Sequence, residues 1–397
     1  MGRISILDGL RGWCLVFMMV THLHINGDFL LGYAHFNQLT FADSAQAFIF
    51  LSGLLVGLVG VKQYRRDGIT PMTRRYWGRA LELYGWHLGL LVAVMSLVWL
   101  VPASWFAWRD WLQHLLVAGD AYAGATAALL YQPTYLDILP QYILYLLAAP
   151  LAIYMVAKGK SGFVLAGSIG LWLAVQLGLD APLAAWLQEG VRLSGQHVTL
   201  RAAFNPLAWQ LLFVTGIVLG GLLVRGEIDS DRLFAPRHSL LLQLVLGLLA
   251  VSVVLRLAIP YLSAADPVLA EGFRPFEDRQ DLGLLRVGSF AALALLLTWL
   301  LAVAPTSRQP WLNVTGTAAN RLLGHPWFSM LGRHSLPVFA FHVLLVYLLR
   351  LVDMQLGGIP DPLYSLLALA AIGSLGIPAA LLDARRRLVT SPARGAC

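Results

Sequence analysis

Long apolar runs, separated by short polar or basic segments, dominate this chain. Ten of them approach the length of roughly 20 residues that an α-helix needs to cross a bilayer. They lie near residues 11–30, 44–61, 80–101, 137–157, 161–179, 207–224, 239–259, 286–304, 334–352 and 363–382. The pattern predicts an all-α, polytopic transmembrane helix bundle of about ten spans, forming one domain over residues 1–397.

The stretch 103–135 does not follow this pattern, because tryptophans and tyrosines alternate there with apolar and small residues. Aromatic side chains of this kind concentrate where a membrane meets water. We therefore expect an interfacial or re-entrant segment.

Basic residues cluster in alternate connections. The segment 62–79 carries six Lys or Arg residues and the tail after residue 384 carries four, whereas the loop between the first two spans has none. Cytoplasmic loops are enriched in Lys and Arg. The chain should therefore have both termini in the cytoplasm, with 62–79 as a cytoplasmic connection.

Composition agrees with a membrane protein and excludes an ordinary soluble enzyme, since 58% of residues are hydrophobic, 12% are charged and the mean hydropathy is +0.70. Most of the net charge of +7 comes from the basic residues of the predicted cytoplasmic loops, so we expect the protein to contact membrane lipid and not to bind nucleic acid. Cys14 and Cys397 lie at different predicted depths, so we expect neither a disulfide nor a cysteine metal site. We also expect no permanently bound cofactor.

Two ionisable residues, Arg11 and His22, share the first predicted span. Eleven residues of α-helix make about three turns, which places both side chains on one stripe, roughly 16 Å apart along the axis. Ionisable groups at membrane depth usually face a protein interior or a water-filled cavity. This helix is predicted to take part in chemistry or transport.

These residues belong to motifs that resemble a superfamily of integral-membrane acyltransferases modifying cell-surface carbohydrates. The first similarity is the motif in residues 7–12 together with the spacing between Arg11 and His22, and the second is the motif in residues 50–53. Three longer stretches are most similar to the OpgC branch. The motifs are LDGLRG (7–12), FLSG (50–53), LDILPQY (136–142), NPLAWQ (205–210) and LGRHSLPVFAFH (331–342).

The resemblance to OpgC extends over the whole chain and implies an enzyme of the bacterial inner membrane with about ten spans. It implies a membrane-bound O-acyltransferase that passes a succinyl group from cytoplasmic succinyl-CoA to a periplasmic glucan. An acyl-CoA other than succinyl-CoA is kept as an alternative donor.

His22 is the predicted catalytic base, because a neutral imidazole can take a proton from a sugar hydroxyl that attacks a thioester. A transient acyl-histidine is an alternative, since imidazole is also a nucleophile. A third interpretation is structural: His22 would only hydrogen-bond across helices. His342, in the ninth span, is a second candidate for the catalytic site.

Arginines near the cytoplasmic face are candidates for binding the phosphates of the acyl-CoA donor, because guanidinium groups bind phosphate in a bidentate manner. Arg11 is the first, although it could also snorkel or pair with Asp8. Arg74, Arg75 and Arg79 are further candidates that the positive-inside rule explains equally well.

Small residues follow Ser52 along one face of the second span, at Gly53, Gly57 and Gly60. Such a face lets helices approach closely. Helix packing is one interpretation, and a narrow passage for the pantetheine arm of the donor, with Ser52 beside it, is the other.

Glu82 and His87 in the third span add two titratable groups, predicted to be buried. They would either be satisfied structural residues or line a polar cavity together with His342.

Asp137 is placed at the outer membrane edge, next to Tyr135 and the tryptophans of 105–111. Carboxylates accept hydrogen bonds from sugar hydroxyls, and aromatic rings stack on sugar faces. Asp137 is therefore a candidate for the acceptor site, although an aromatic belt without a ligand has the same composition.

Two other classes of function stay open. A transporter or flippase would use the same polar stripe as a substrate path. A membrane haem or metal protein would use His22, His87 and His342 as ligands, although their spacing lacks the usual paired pattern.

Overall fold

The structure is a computed structural model and describes residues 2–23, 35–193, 198–228 and 239–390. Within these ranges the chain is α-helical apart from turns and two short 3₁₀ segments, and one isolated parallel bridge joins Tyr131 to Arg201. The predicted all-α architecture is confirmed. The helices, in chain order, are α1 (Gly2–His22), α2 (Ser44–Asp67), α3 (Ile69–Leu100), α4 (Ala103–Ala107), α5 (Arg109–Leu112), α6 (His114–Val117), α7 (Gly119–Ala127), α8 (Ile138–Ala157), α9 (Ser161–Gln176), α10 (Ala181–Leu193), α11 (Pro206–Arg225), α12 (Ser239–Ala265), α13 (Pro267–Glu277), α14 (Leu284–Ala302), α15 (Pro310–Leu323), α16 (Pro326–Arg333), α17 (Ser335–Gln355), α18 (Asp361–Ser374) and α19 (Gly376–Thr390).

In the described part of the chain, eight helical segments are long and apolar enough to cross a membrane. The pair α9 and α10 gives a ninth if it counts as one broken span, with a bend of 76° near Gly178. The helix α1 covers part of the first predicted span, 11–30, but it begins at Gly2, ends at His22 and is not one of the eight; residues 24–30 of that prediction lie outside the described residues. The protein is a multi-pass membrane protein.

The chain divides into two compact units. The terminal unit comprises Met1–His35 and Thr298–Cys397, and the central unit comprises Phe36–Leu297. The prediction of one functional domain over 1–397 stays a prediction.

In the terminal unit, glycines bring the backbones of α1 and α16 into direct contact. A Cβ atom built on Gly12 would lie 2.0 Å from the Phe328 carbonyl oxygen, and one on Gly332 would lie 1.8 Å from that of Asp8. No other residue type fits so close an approach. The glycines of 7–12 and 331–342 therefore make these two motifs pack against each other.

In the central unit, α2, α8 and α11 pack against one another, and the glycine contacts show that α2 and α11 run in the same direction. Cβ atoms built on Gly53 and Gly57 would lie 2.1 and 2.3 Å from the carbonyl oxygens of Phe213 and Ile217. The small-residue face after Ser52 therefore packs α2 against α11, and the packing interpretation is confirmed.

The basic segment 62–79, predicted as a connection between two spans, is helical on both sides of Gly68. The helix α2 continues to Asp67 and α3 begins at Ile69, so one residue, Gly68, separates them. Gly68 has φ +82°, a conformation that side chains disfavour. Long basic side chains favour helices and can extend to the membrane surface, so the helices continue past the apolar runs.

The segment 103–135 folds into four short helices, α4 to α7, and joins α3 to α8. Trp108 and Tyr131 have no exposed surface, and Tyr122 has 4%. These three aromatic side chains belong to the core of the central unit, so an aromatic membrane belt does not account for them.

Candidate functional site

His22 and His342 meet inside the terminal unit. Nδ1 of His22 lies 2.9 Å from Nε2 of His342, and the rings stack with centroids 4.8 Å apart. His342 is completely buried on α17, with the Phe339 ring edge-on beside it. The last turn of α1 thus presents one predicted catalytic histidine directly to the other.

The short distance between the two nitrogens fixes how the pair carries protons. One of them must be protonated to donate, and the other must offer its lone pair. Protonation of both would place two cations and two N–H groups face to face. Nδ1 of His342 has no hydrogen-bond partner among the described residues. In the neutral pair, one ring therefore donates its N–H to the lone pair of the other.

Arg11 lies on the same stripe of α1, as predicted, and contacts the start of α17. Its guanidinium donates to the Ser335 hydroxyl at 2.7 Å and to the Gly332 carbonyl at 3.2 Å. Ser335 precedes His342 by two turns on α17, and Arg11 precedes His22 by about three turns on α1, so the two contacts follow one another in the same order along both helices. The two helices run parallel, with Arg11 at the predicted cytoplasmic end.

His334 and Asp383 form a second polar contact in the terminal unit. Nε2 of His334 lies 2.7 Å from Oδ1 of Asp383, and Arg333 lies 3.3 Å from the other carboxylate oxygen. His334 is 5% exposed. This contact joins the start of α17 to α19 and belongs to the same motif as His342.

The other predicted residues of the donor site lie in the central unit. Ser52 is 2% exposed, and its hydroxyl has no partner within the described ranges. Arg74 and Arg75 are exposed on α3, and Arg79 pairs with Glu82 at 2.6 Å. Their roles in binding acyl-CoA stay predictions.

The structure does not place Glu82 and His87 together in a buried polar cavity. Half of the Glu82 side chain is exposed in its pair with Arg79, so the prediction that it is buried is wrong. His87 is fully buried, and its Nε2 donates to the Thr126 carbonyl at 3.0 Å. Since Glu82 and Arg79 are one helical turn apart, they pair locally on the surface of α3.

Asp137 comes directly before α8, at the predicted outer ends of α2, α8 and α11. Charge interactions connect it to Arg201 and Arg279, and Arg279 in turn bonds to Asp43, which bonds to Gln46. We call these five residues the outer polar cluster: Asp43, Gln46, Asp137, Arg201 and Arg279. Asp43 caps α2 by a reciprocal bond pair with Gln46, at 2.9 and 2.7 Å. Arg279, between α13 and α14, donates to the other Asp43 oxygen at 3.0 Å and lies over the Phe204 ring.

The two carboxyl groups of this cluster differ in their electrostatics. Burial would raise the pKa of Asp43, but the charges of Arg279 and Arg286 and the backbone N–H of Gln46 together hold it below its ordinary value. Burial raises the pKa of Asp137, and the more distant charges of Arg279 and Arg201 do not reverse this. Asp137 forms no ion pair with any described residue.

Sequence reasoning missed Asp43 and Arg279. The spacing of Asp43 and Gln46 is a capping-box signature, and it could have located the start of α2. No local signal marks Arg279, because its partner is 236 residues away in the sequence.

No group of three or more His, Cys, Asp or Glu residues in the described ranges is arranged to hold a metal ion. His87, one of the ligands in the metal interpretation, lies in the central unit and uses Nε2 as a donor to a carbonyl. Only its Nδ1 could act as a ligand in that state.

The fold and the contact between His22 and the buried His342 define a class: a multi-pass helical membrane protein with titratable groups at its helix packing. The particular family follows from a family model described as OpgC protein, which matches residues 3–387. The chain belongs to the OpgC family, and this membership gives it the role of an acyltransferase in glucan modification. Searches of curated proteins and of solved structures give no match to it.

Proposed function

We propose that the protein transfers a succinyl group from succinyl-CoA, on the cytoplasmic side of the bacterial inner membrane, to hydroxyl groups of a periplasmic glucan. The observation that carries this proposal is the contact between His22 and His342 on a stripe shared with Arg11. A donor made inside the cell and an acceptor outside it require a reaction within the membrane, and membrane-embedded titratable residues suit that requirement.

His22 is the general base in this proposal. It takes the proton of a glucan hydroxyl while the hydroxyl oxygen bonds to the thioester carbonyl carbon. The carbon–sulfur bond then breaks, and the CoA sulfur leaves with a proton that His22 returns. In the variant with an acyl-histidine, His22 first receives the succinyl group as CoA leaves, and the hydroxyl then takes it.

His342 is a positioning residue for His22. When Nδ1 of His22 donates to Nε2 of His342, the ring orientation is fixed and Nε2 of His22 is the nitrogen that takes the substrate proton. The hydrogen bond also stabilises the imidazolium that forms. A buried, fixed partner of this kind is what a catalytic imidazole needs.

Arg11 binds a phosphate of the donor in this proposal, because it carries a permanent charge at the predicted cytoplasmic end of the stripe. Its bonds to Ser335 and Gly332 hold the guanidinium in place before the donor arrives. Arg74, Arg75 and Arg79, in the central unit, carry further positive charge near the predicted cytoplasmic end of α3.

The experiment uses proteoliposomes with labelled succinyl-CoA on the side of the termini and unlabelled glucan on the other side. Covalent label in the glucan, identified by mass spectrometry as a succinyl ester, supports the proposal. Labelled acetyl-CoA tests the choice of donor, because an acetyl ester would leave the product neutral. Movement of intact glucan or donor without a covalent product would contradict the proposed transfer reaction and favour the transporter interpretation.

A further inference from the structure

The outer polar cluster contains hydrogen-bonding groups that the fold does not use. Gln46 is fully buried; its Oε1 accepts from the Asp43 backbone, while its Nε2 has no partner within the described ranges. Nη1 of Arg201 is also buried without a partner there. Buried donors without acceptors are rare in folded proteins, because each one loses its bonds to water.

Asp137 supplies the complementary acceptor. Its side chain makes no capping hydrogen bond to α8; the backbone N–H groups of Asp137 and Ile138 interact with the carboxylate, and it forms no ion pair with any described residue. Arg201 and Arg279 act on its charge, which places it in the same cluster. Asp43, by contrast, is used fully by the cap of α2 and by Arg279.

An aromatic pair lies beside these groups. The Tyr135 and Trp111 rings pack edge to face at 5.0 Å, and both are partly exposed. Tyr135 has φ +68°, a conformation that costs energy for a residue with a side chain. This backbone conformation sets the direction of the chain two residues before Asp137.

We propose that the outer polar cluster, with Tyr135 and Trp111, is the subsite that binds a sugar ring of the glucan acceptor. A sugar hydroxyl both donates and accepts, so adjacent hydroxyls can satisfy Gln46 Nε2, Arg201 and Asp137 together. The apolar face of a pyranose ring suits the exposed aromatic surface. An inorganic anion would meet the Asp43 and Asp137 carboxylates, and a cation would meet two arginines, so a neutral polyol fits best.

This subsite rests on the proposed function for the identity of its ligand, but its test does not need transfer. Full-length protein in nanodiscs is titrated with neutral glucan oligosaccharides in the absence of donor, and binding is measured by calorimetry. The variants are Asp137→Asn and Arg201→Gln, with Asp120→Asn as the control. Asp120 is an exposed carboxylate on α7, in the same outer segment.

Asp137→Asn should weaken glucan binding about 10-fold or more, since a lost bond to a charged group has roughly that effect. Arg201→Gln should weaken it as well, while Asp120→Asn binds as the wild type does. In a transfer assay Asp137→Asn should raise the KM for glucan and leave the KM for the acyl-CoA donor unchanged.

Wild-type affinity for glucan in both Asp137→Asn and Arg201→Gln would overturn the subsite, whatever happens to transfer. A wild-type protein that binds glucan and transfers no acyl group would overturn the proposed function and leave the subsite in place. A rise in the KM for both substrates would show a general structural defect, and it too would count against the subsite.

Discussion

At the residue scale, the distance from His22 to His342 is the observation that matters most. The sequence alone could place Arg11 and His22 on one stripe, because helical periodicity depends only on local spacing. It could not pair His22 with His342, which is 320 residues further along the chain. That pairing depends on the packing of α1 against α17, which no local pattern encodes.

Substitution of His342 tests its role as a positioning residue. His342→Phe should lower kcat by about 10- to 100-fold, within the range for loss of general acid–base function, and leave the KM for donor and glucan nearly unchanged. His342→Gln should recover part of kcat, because its amide can still hydrogen-bond with His22. Equal activity of the phenylalanine variant and the wild type would contradict this role.

The pair of Asp43 and Arg279 predicts a stability effect at acidic pH. The pKa of folded Asp43 lies below its ordinary value, so the ionised carboxylate stabilises the fold. This contribution is complete above the unfolded pKa of about 3.9 and is lost as the pH falls through the lower folded pKa. The free energy of unfolding of the detergent-solubilised protein, measured at a series of pH values from 7 downward, tests this contribution.

Asp43→Asn isolates the charge in that measurement, because asparagine caps a helix about as well as aspartate does. The variant should lose about 1–2 kcal/mol at neutral pH, allowing for the half-exposed Arg279 side chain. It should also lack the part of the acid dependence that Asp43 causes. A variant with the stability and pH profile of the wild type would show that the ion pair contributes nothing.

At the scale of elements, glycines determine which helices can touch. The sequence identified the small-residue face of α2, because Gly53, Gly57 and Gly60 recur at helical spacing. The glycines of α1 and α16 were visible as motifs but not as partners. The backbone of residues 7–12 lies against α16, while Arg11 projects from the same turns toward Ser335.

Gly332→Ala tests this contact. The new methyl group would overlap the Asp8 carbonyl, so α1 and α16 must separate, at a cost of about 1–3 kcal/mol. Gly247→Ala on α12 is the matched control, because its Cβ would meet no atom within 4 Å. The control should be neutral or stabilising by up to about 1 kcal/mol. Equal unfolding temperatures for the two variants would contradict the role of Gly332.

At the scale of the whole molecule, hydropathy predicted most of the helical architecture, because lipid requires each spanning segment to satisfy its own backbone. It failed where helices continue beyond the apolar runs, as at Gly68, and where aromatic residues form a core, as at Trp108. Apart from Asp137, the residues of the outer polar cluster could not be predicted from the sequence, because Asp43 and Arg279 meet only in the folded chain.

Topology can be tested by labelling single cysteines with a membrane-impermeant reagent in intact spheroplasts. A cysteine at Asp120 should react from outside, and one at Arg66 should react only after the membrane is opened. Both side chains are exposed in the structure. Cys14 and Cys397 are replaced by serine beforehand. Reaction of the Arg66 position from outside would reverse the orientation on which the direction of transfer depends.

The most direct test of the central claim measures acyl transfer to glucan by purified His22→Ala in a single turnover, with His114→Ala as the control. His114 is an exposed imidazole of the central unit. We expect His22→Ala to bind both substrates and to form the ester at least about 100-fold more slowly than the wild type, while His114→Ala transfers normally. Ester formation by His22→Ala at the wild-type rate would contradict this claim.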